Sequence, residues 1–77
     1  MEELIANLKT KYNSEIADIK SAGAAEISVV LKQATDDTMF VSDLKDHLVQ
    51  IIDELTIVKI NVVDTDGNLI DSFATNQ

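Results

Sequence analysis

Apolar residues recur every three or four positions at the start of the chain, a pattern that predicts an amphipathic helix over residues 2–22. The apolar stripe consists of Leu4, Ile5, Leu8, Tyr12, Ile16 and Ile19. Gly23 follows the stripe and can adopt the left-handed conformation that closes many helices. A helix of this length is long for so short a chain, so we expect it to pair with a second subunit. The residues expected to carry this self-association are Leu4, Leu8, Tyr12 and Ile16.

The pattern over residues 24–41 fits either a strand or a helix. Several apolar residues here have helical spacing, but β-branched side chains dominate the run that begins at Ile27, and such side chains favour strands. We prefer the strand. The resulting predictions are a strand over residues 26–33, a turn over 35–37 and a short return strand over 38–41.

A second helical stripe follows over residues 43–55. Ser42 or Asp43 is the predicted N-cap, because both side chains can accept a hydrogen bond from the first turn of a helix. The apolar face of this helix consists of Leu44, Leu48, Ile51, Ile52 and Leu55.

The last third of the chain has the pattern of a β-hairpin, with strands over residues 57–63 and 69–74. Asp66-Gly67 stands between two apolar runs, and Asp-Gly is a strong signal for a tight hairpin turn. If these two residues form the loop, the cross-strand pairs are Val63 with Ile70, Val62 with Asp71, and Ile60 with Phe73. The dry face of this hairpin would then collect Val58, Ile60, Val62, Leu69 and Phe73.

These elements predict one small α+β domain spanning residues 1–77, in the order α-β-β-α-β-β. We expect two layers, with an antiparallel sheet of about four strands and the helices on one of its faces. At 77 residues, such a domain gains only about 3–5 kcal/mol from its own core. A partner subunit is therefore an available stabiliser, and a homodimer is the expected assembly.

The chain is acidic, with a formal net charge of −8 and no arginine. Phosphate groups are bound by lysine and arginine, so this balance disfavours nucleic acids and anionic membranes as partners. A basic protein is the partner that the charge favours. The acidic residues expected to face it are Asp36, Asp37, Asp43, Asp46, Asp53 and Glu54. The alternative is that the acidic charge only keeps the protein soluble.

No motif in the chain predicts an enzyme, a cofactor or a metal site. Cysteine is absent and His47 is the single histidine, so the usual zinc sites are excluded; we expect His47 to be a surface or boundary residue. The run from Asp64 to Asn68 lacks the ligand spacing of a calcium loop. There is no apolar stretch long enough to span a bilayer and no basic signal-peptide region near the N-terminus. We therefore expect a cytoplasmic protein.

The function that the sequence favours is a non-enzymatic protein–protein interaction module. It would associate with itself through the N-terminal helix and bind a further partner through its acidic surface. The alternative function is an inhibitor whose acidic groups mimic a nucleic acid and occupy the groove of a basic protein.

Overall fold

The computed structural model describes residues 2–52 and 56–75, which form two helices and four strands. In chain order these elements are α1 (Glu2–Lys11), β1 (Ile16–Gly23), β2 (Glu26–Leu31), α2 (Asp37–Ile51), β3 (Lys59–Val63) and β4 (Leu69–Ala74). The four strands make one sheet in the order β1-β2-β3-β4. The predicted α+β class and the order α-β-β-α-β-β are confirmed.

The sheet is mixed, so the prediction of a purely antiparallel sheet is wrong. The outer pairs β1–β2 and β3–β4 are antiparallel hairpins, but β2 and β3 are parallel. The reason is the connection between them. A helix that crosses one face of a sheet returns the chain to the end of the sheet at which the previous strand began. The next strand therefore runs in the same direction as the last. Here α2 is that crossover.

The first helix ends at Lys11, and the second half of the predicted helix over residues 2–22 is strand β1. A β-bulge accounts for the misleading pattern. Ile16 pairs with Leu31 and Asp18 with the neighbouring Val30, so Ala17 is an extra residue in β1. The bulge brings Ile16 and Ile19, three positions apart, onto the same face of the sheet, which imitates helical spacing. Gly23 accordingly ends a strand rather than a helix.

The second helix begins at Asp37, six residues before its predicted start, and includes the predicted return strand over residues 38–41. Asp36, not Ser42 or Asp43, is the N-cap, and its Oδ1 accepts a hydrogen bond from the Met39 backbone N–H (3.2 Å). Tertiary packing overrides the strand propensity of Phe40 and Val41, because both are buried against the sheet from a helical backbone. The predicted end of this helix falls at residues 53–55, outside the described residues.

The hairpin β3–β4 is confirmed, with a different loop and one shift in register. Val62 lies opposite Asp71 and Ile60 opposite Phe73, as predicted, but Val63 lies opposite Leu69 rather than Ile70. The loop has three residues instead of two, Thr65 to Gly67, and Asp64 N–H donates to the Asn68 carbonyl (3.0 Å) across it. Ile70 is the bulged residue. The bulge leaves Leu69 on the solvent side and brings Ile70 against the core, the reverse of the prediction.

The core lies between the sheet and the two helices, which pack side by side on one face. Its fully buried side chains are Leu8, Ile27, Val29, Leu31, Leu44, Leu48, Ile60 and Val62. Polar contacts join the helices at the top of this core: Asn7 on α1 bonds His47 on α2 (2.9 Å between Oδ1 and Nε2). The second face of the sheet is bare in the described chain. None of the described helices is long and apolar enough to cross a membrane.

Candidate interaction surfaces

The residues expected to carry self-association are used mostly inside the domain. Leu8 is completely buried, Tyr12 and Ile16 are almost so, and Leu4 is half-buried against the core. Ile16 belongs to β1 and not to the helix at all. The structure thus places these side chains mainly in the protein's own core, and their contact with a second copy stays a prediction.

Tyr12 is the polar anchor of this region. Its hydroxyl donates to Oδ2 of Asp43 on α2 (2.8 Å), and its ring meets the ring of Phe40 edge-on, with centroids 5.1 Å apart. Burial is the main reason why the pKa of the Tyr12 phenol lies well above its usual value, and the Asp43 carboxylate raises it further. Phenolate formation would place two negative charges within hydrogen-bonding distance of each other.

This raised pKa gives a direct optical prediction, because Tyr12 is the only tyrosine and the chain has no tryptophan. We expect phenolate absorbance to remain absent in the folded protein well above pH 10, and to appear near pH 10 in denaturant. The unfolded chain then releases this proton first, so the free energy of unfolding should fall as the pH rises above about 10. Phenolate formation near pH 10 in the folded state would contradict the prediction. Asp43→Asn, which keeps the acceptor but removes the charge, should lower this pKa.

Four of the six acidic residues singled out from the sequence lie in the described part of the chain, and they do not all border the same groove. Asp36 and Asp43 border the same groove, whereas Asp37 lies over a second groove between α2 and β4. Asp46 is exposed on α2 outside both. The remaining two, Asp53 and Glu54, lie outside the described residues. Among the four described residues, the structure therefore brings one pair together, Asp36 and Asp43.

The groove that contains this pair runs between the α1–β1 loop and the first turns of α2, and we call it the acidic groove. It has a volume of about 530 Å³, and its principal lining residues are Tyr12, Glu15, Lys32, Asp36, Met39 and Asp43. Sequence patterning missed Glu15 and Met39 at this site, because Glu15 was assigned to a helix and Met39 to a strand. A correct start for α2 would have placed Met39 and Asp43 one turn apart on the same side.

The bare face of the sheet, which we call the outer face, is the side of the described strands that faces away from the core. Its residues follow from the strand register, and they are Asp18, Lys20, Glu26, Ser28, Val30, Lys59, Asn61, Val63, Leu69, Ser72 and Ala74. Val30, Val63 and Leu69 are neighbours on three adjacent strands and make an apolar patch; Leu69 is 64% exposed.

Polar groups on the outer face are arranged across the strands. Asn61 donates from Nδ2 to Glu26, and its Oδ1 accepts a hydrogen bond from the Ser72 hydroxyl (2.9 Å). The charged side chains are two lysines and two carboxylates, so the outer face is neutral although the chain carries a net charge of −8. The excess negative charge therefore lies on the helices, the loops and the edges of the molecule.

The remaining polar clusters serve the domain's own structure. His47 is half-buried, as its place at the border of the helical stripe predicts, and burial lowers its pKa. Asp64 accepts backbone hydrogen bonds from Asp66 and Asn68 (2.9 Å each), which hold the pKa of its carboxyl below the usual range. Within residues 2–52 and 56–75, no group of three acidic or histidine side chains is placed to hold a metal ion.

Comparisons with known proteins assign no function to this chain, so the function has to be inferred from these surfaces. Neither a protein-family model, nor a curated protein, nor a solved structure matches this chain.

Proposed function

We propose that this chain is a non-enzymatic protein–protein interaction module that associates with a second copy of itself through the outer face. The observation that carries the proposal is the contrast between this face and the rest of the molecule. A neutral surface with an apolar patch, on a chain with a net charge of −8, is a place where two copies can approach without strong repulsion.

The composition of the outer face suits contact with itself. In a twofold dimer each surface meets its own copy, so a useful face must be self-complementary. Lys20 and Lys59 share the face with Asp18 and Glu26, which allows a lysine of one copy to meet a carboxylate of the other. The apolar patch at Val30, Val63 and Leu69 would be withdrawn from water by the same contact.

The strand edges are less suitable for pairing than the face. β1 has irregular pairing at both of its ends, and β4 has the bulge at Ile70. Asp71 on β4 faces the helix side, where Lys45 lies 3.8 Å away. Bulges and inward-pointing charges are devices that prevent edge-to-edge pairing of sheets. Extension of the sheet through a neighbouring chain is thus disfavoured, which leaves stacking of the outer faces.

The dimer should be reversible. Strands about 4.8 Å apart with a rise of about 3.3 Å per residue give a face of roughly 19 by 17 Å. This is less than the roughly 800 Å² that each partner contributes to a standard stable interface. We therefore expect an equilibrium that depends on protein concentration rather than an obligate dimer.

Sedimentation or light scattering over a concentration series tests this proposal. The wild-type protein should shift from monomer towards dimer as its concentration rises. Leu69→Glu places a charge in the apolar patch and should keep the protein monomeric. Val49→Glu makes the same change in charge at an exposed residue of α2 (74% exposed) and should leave the equilibrium as in the wild type.

Two results would overturn the proposal. The first is a wild-type protein that stays monomeric up to roughly millimolar concentration. The second is a dimer that Leu69→Glu and Val49→Glu weaken equally, because such a dimer would depend on net charge and not on the outer face.

A further inference from the structure

The acidic groove lies on the helix side of the molecule, and self-association through the outer face would leave it open. Its floor is fixed by contacts within the domain. The backbone N–H of Lys32 donates to the Glu15 carbonyl (2.9 Å), and the Thr35 hydroxyl donates to the same oxygen (3.3 Å). Together with the bond from Tyr12 to Asp43, these contacts hold both walls in place without a ligand. A preformed groove binds at a lower entropic cost than one that must be assembled.

The groove combines apolar walls with carboxylate groups at its rim. Met39, 70% exposed, forms one wall with a flexible thioether side chain that can adapt to different contacts. Glu15, Asp36 and Asp43 supply three carboxylates. The single cation among the lining residues is Lys32, whose ammonium is directed towards the Asn13 carbonyl (3.4 Å).

Two of these carboxylates each accept a hydrogen bond at only one of their two oxygens. Asp43 accepts the Tyr12 hydroxyl at Oδ2, and Asp36 accepts the Met39 N–H at Oδ1. Their second oxygens have no hydrogen-bond partner within residues 2–52 and 56–75. Each side chain is thereby held in place by one oxygen and keeps the other for a donor from outside.

We propose that the acidic groove binds the side chain of an arginine in a basic segment of a partner protein. An arginine has an apolar stem that suits the Met39 wall, and its planar guanidinium can donate to two carboxylates at once. The net negative charge of the lining residues attracts such a cation and repels phosphate and acidic peptides. This site is independent of the outer face, and either site can exist without the other.

The probe is a blocked Gly-Arg-Gly tripeptide, followed by chemical-shift titration of the ¹⁵N-labelled full chain. The control peptide replaces arginine by citrulline, which has nearly the same shape and no charge. We expect the arginine peptide to shift the backbone amides of the groove residues, the citrulline peptide to bind at least several-fold more weakly, and added salt to weaken binding.

The matched variants alter charge while keeping the fold. Asp43→Asn retains an acceptor for the Tyr12 hydroxyl, so its effect reports the lost charge; we expect affinity to fall about two- to fivefold, as for an exposed ion pair. Lys32→Gln removes the competing cation and should raise affinity. Asp46→Asn removes the same charge one turn away, outside the groove, and should change affinity much less than Asp43→Asn does.

These measurements distinguish binding in the acidic groove from general electrostatic attraction of the peptide to the acidic chain, and from effects of self-association. Leu69→Glu should bind the arginine peptide as well as the wild type does, whatever the state of the dimer. Three results would overturn the proposal: no shifts at the groove, equal binding of the citrulline peptide, or equal effects of Asp43→Asn and Asp46→Asn. The last of these would show that the peptide responds only to the acidic surface as a whole.

Discussion

Leu8→Ala is expected to lower the free energy of unfolding by about 2–5 kcal/mol, the range for truncating a fully buried leucine. Leu8 has no exposed surface and belongs to the core cluster that joins α1, α2 and the sheet. The loss has two parts, the transfer free energy of the deleted carbons and the cavity that a small domain cannot fully close. A domain of 77 residues has roughly 4–12 kcal/mol of total stability, so this one change removes a large share of it.

The same variant separates a core role from an interface role for the first helix. Truncation of a core residue lowers the free energy of unfolding by the same amount at every protein concentration. Truncation of an interface residue lowers it only where the dimer is populated, and it shifts the sedimentation equilibrium. Denaturant unfolding at two protein concentrations measures the change in the free energy of unfolding, and sedimentation at the same concentrations measures the shift in the equilibrium. Val49→Ala, an exposed truncation on α2, is the control and should cost no more than about 0.5 kcal/mol.

The parts of the fold that sequence reasoning predicted are those with local, regular signals. Strand β4 has the predicted bounds, and β3 and the pairs Val62–Asp71 and Ile60–Phe73 follow from alternation on both sides of an Asp-Gly turn. Strand β2 was preferred correctly over a helix, because its β-branched residues follow Gly23, which interrupts the preceding apolar pattern. In each case the period of the side chains equals the period of the backbone that carries them.

The errors arise where a bulge changes that period, or where the residue that caps a helix was assigned to another element. The bulges at Ala17 and Ile70 each insert one residue, and the first makes a strand look helical while the second exchanges the faces of Leu69 and Ile70. A bulge has no sequence signal of its own. It only shifts the spacing of the apolar residues around it. The early start of α2 had a visible signal, the capping residue Asp36, but Asp36 was assigned to a turn between two predicted strands.

The candidate surfaces could be predicted only in part, because both depend on which elements become neighbours. Asp36 and Asp43 were singled out by charge, but their meeting with Glu15 requires the α1–β1 loop to lie beside α2. The neutrality of the outer face requires the parallel register of β2 with β3, which sets Glu26 beside Lys59. Pairings between distant segments of the chain are not encoded in any short window of the sequence.

Gly67→Val is expected to lower the free energy of unfolding by roughly 1–3 kcal/mol through backbone strain alone. Gly67 closes the β3–β4 loop with a φ of +87°, a region that β-branched residues avoid. A Cβ there would meet no atom within 4 Å, so the expected loss comes from the backbone conformation and not from a clash of the Cβ. The backbone N–H of Gly67 donates to the Asp64 carbonyl (3.0 Å), and relief of the strain would break this turn.

A graded series isolates the conformational cause. Gly67→Asn should cost less than Gly67→Val, because asparagine tolerates positive φ better than other side chains do. Gly23→Ala is the matched control: Gly23 has no positive φ, and an added Cβ would make ordinary contact with Glu26 at 3.5 Å, so we expect no comparable loss. Denaturant unfolding gives the energies, and amide exchange should show faster opening of β3 and β4 in Gly67→Val. If Val and Asn at position 67 destabilise equally, positive φ is not what this turn requires, and the register that sets Leu69 on the outer face loses its anchor.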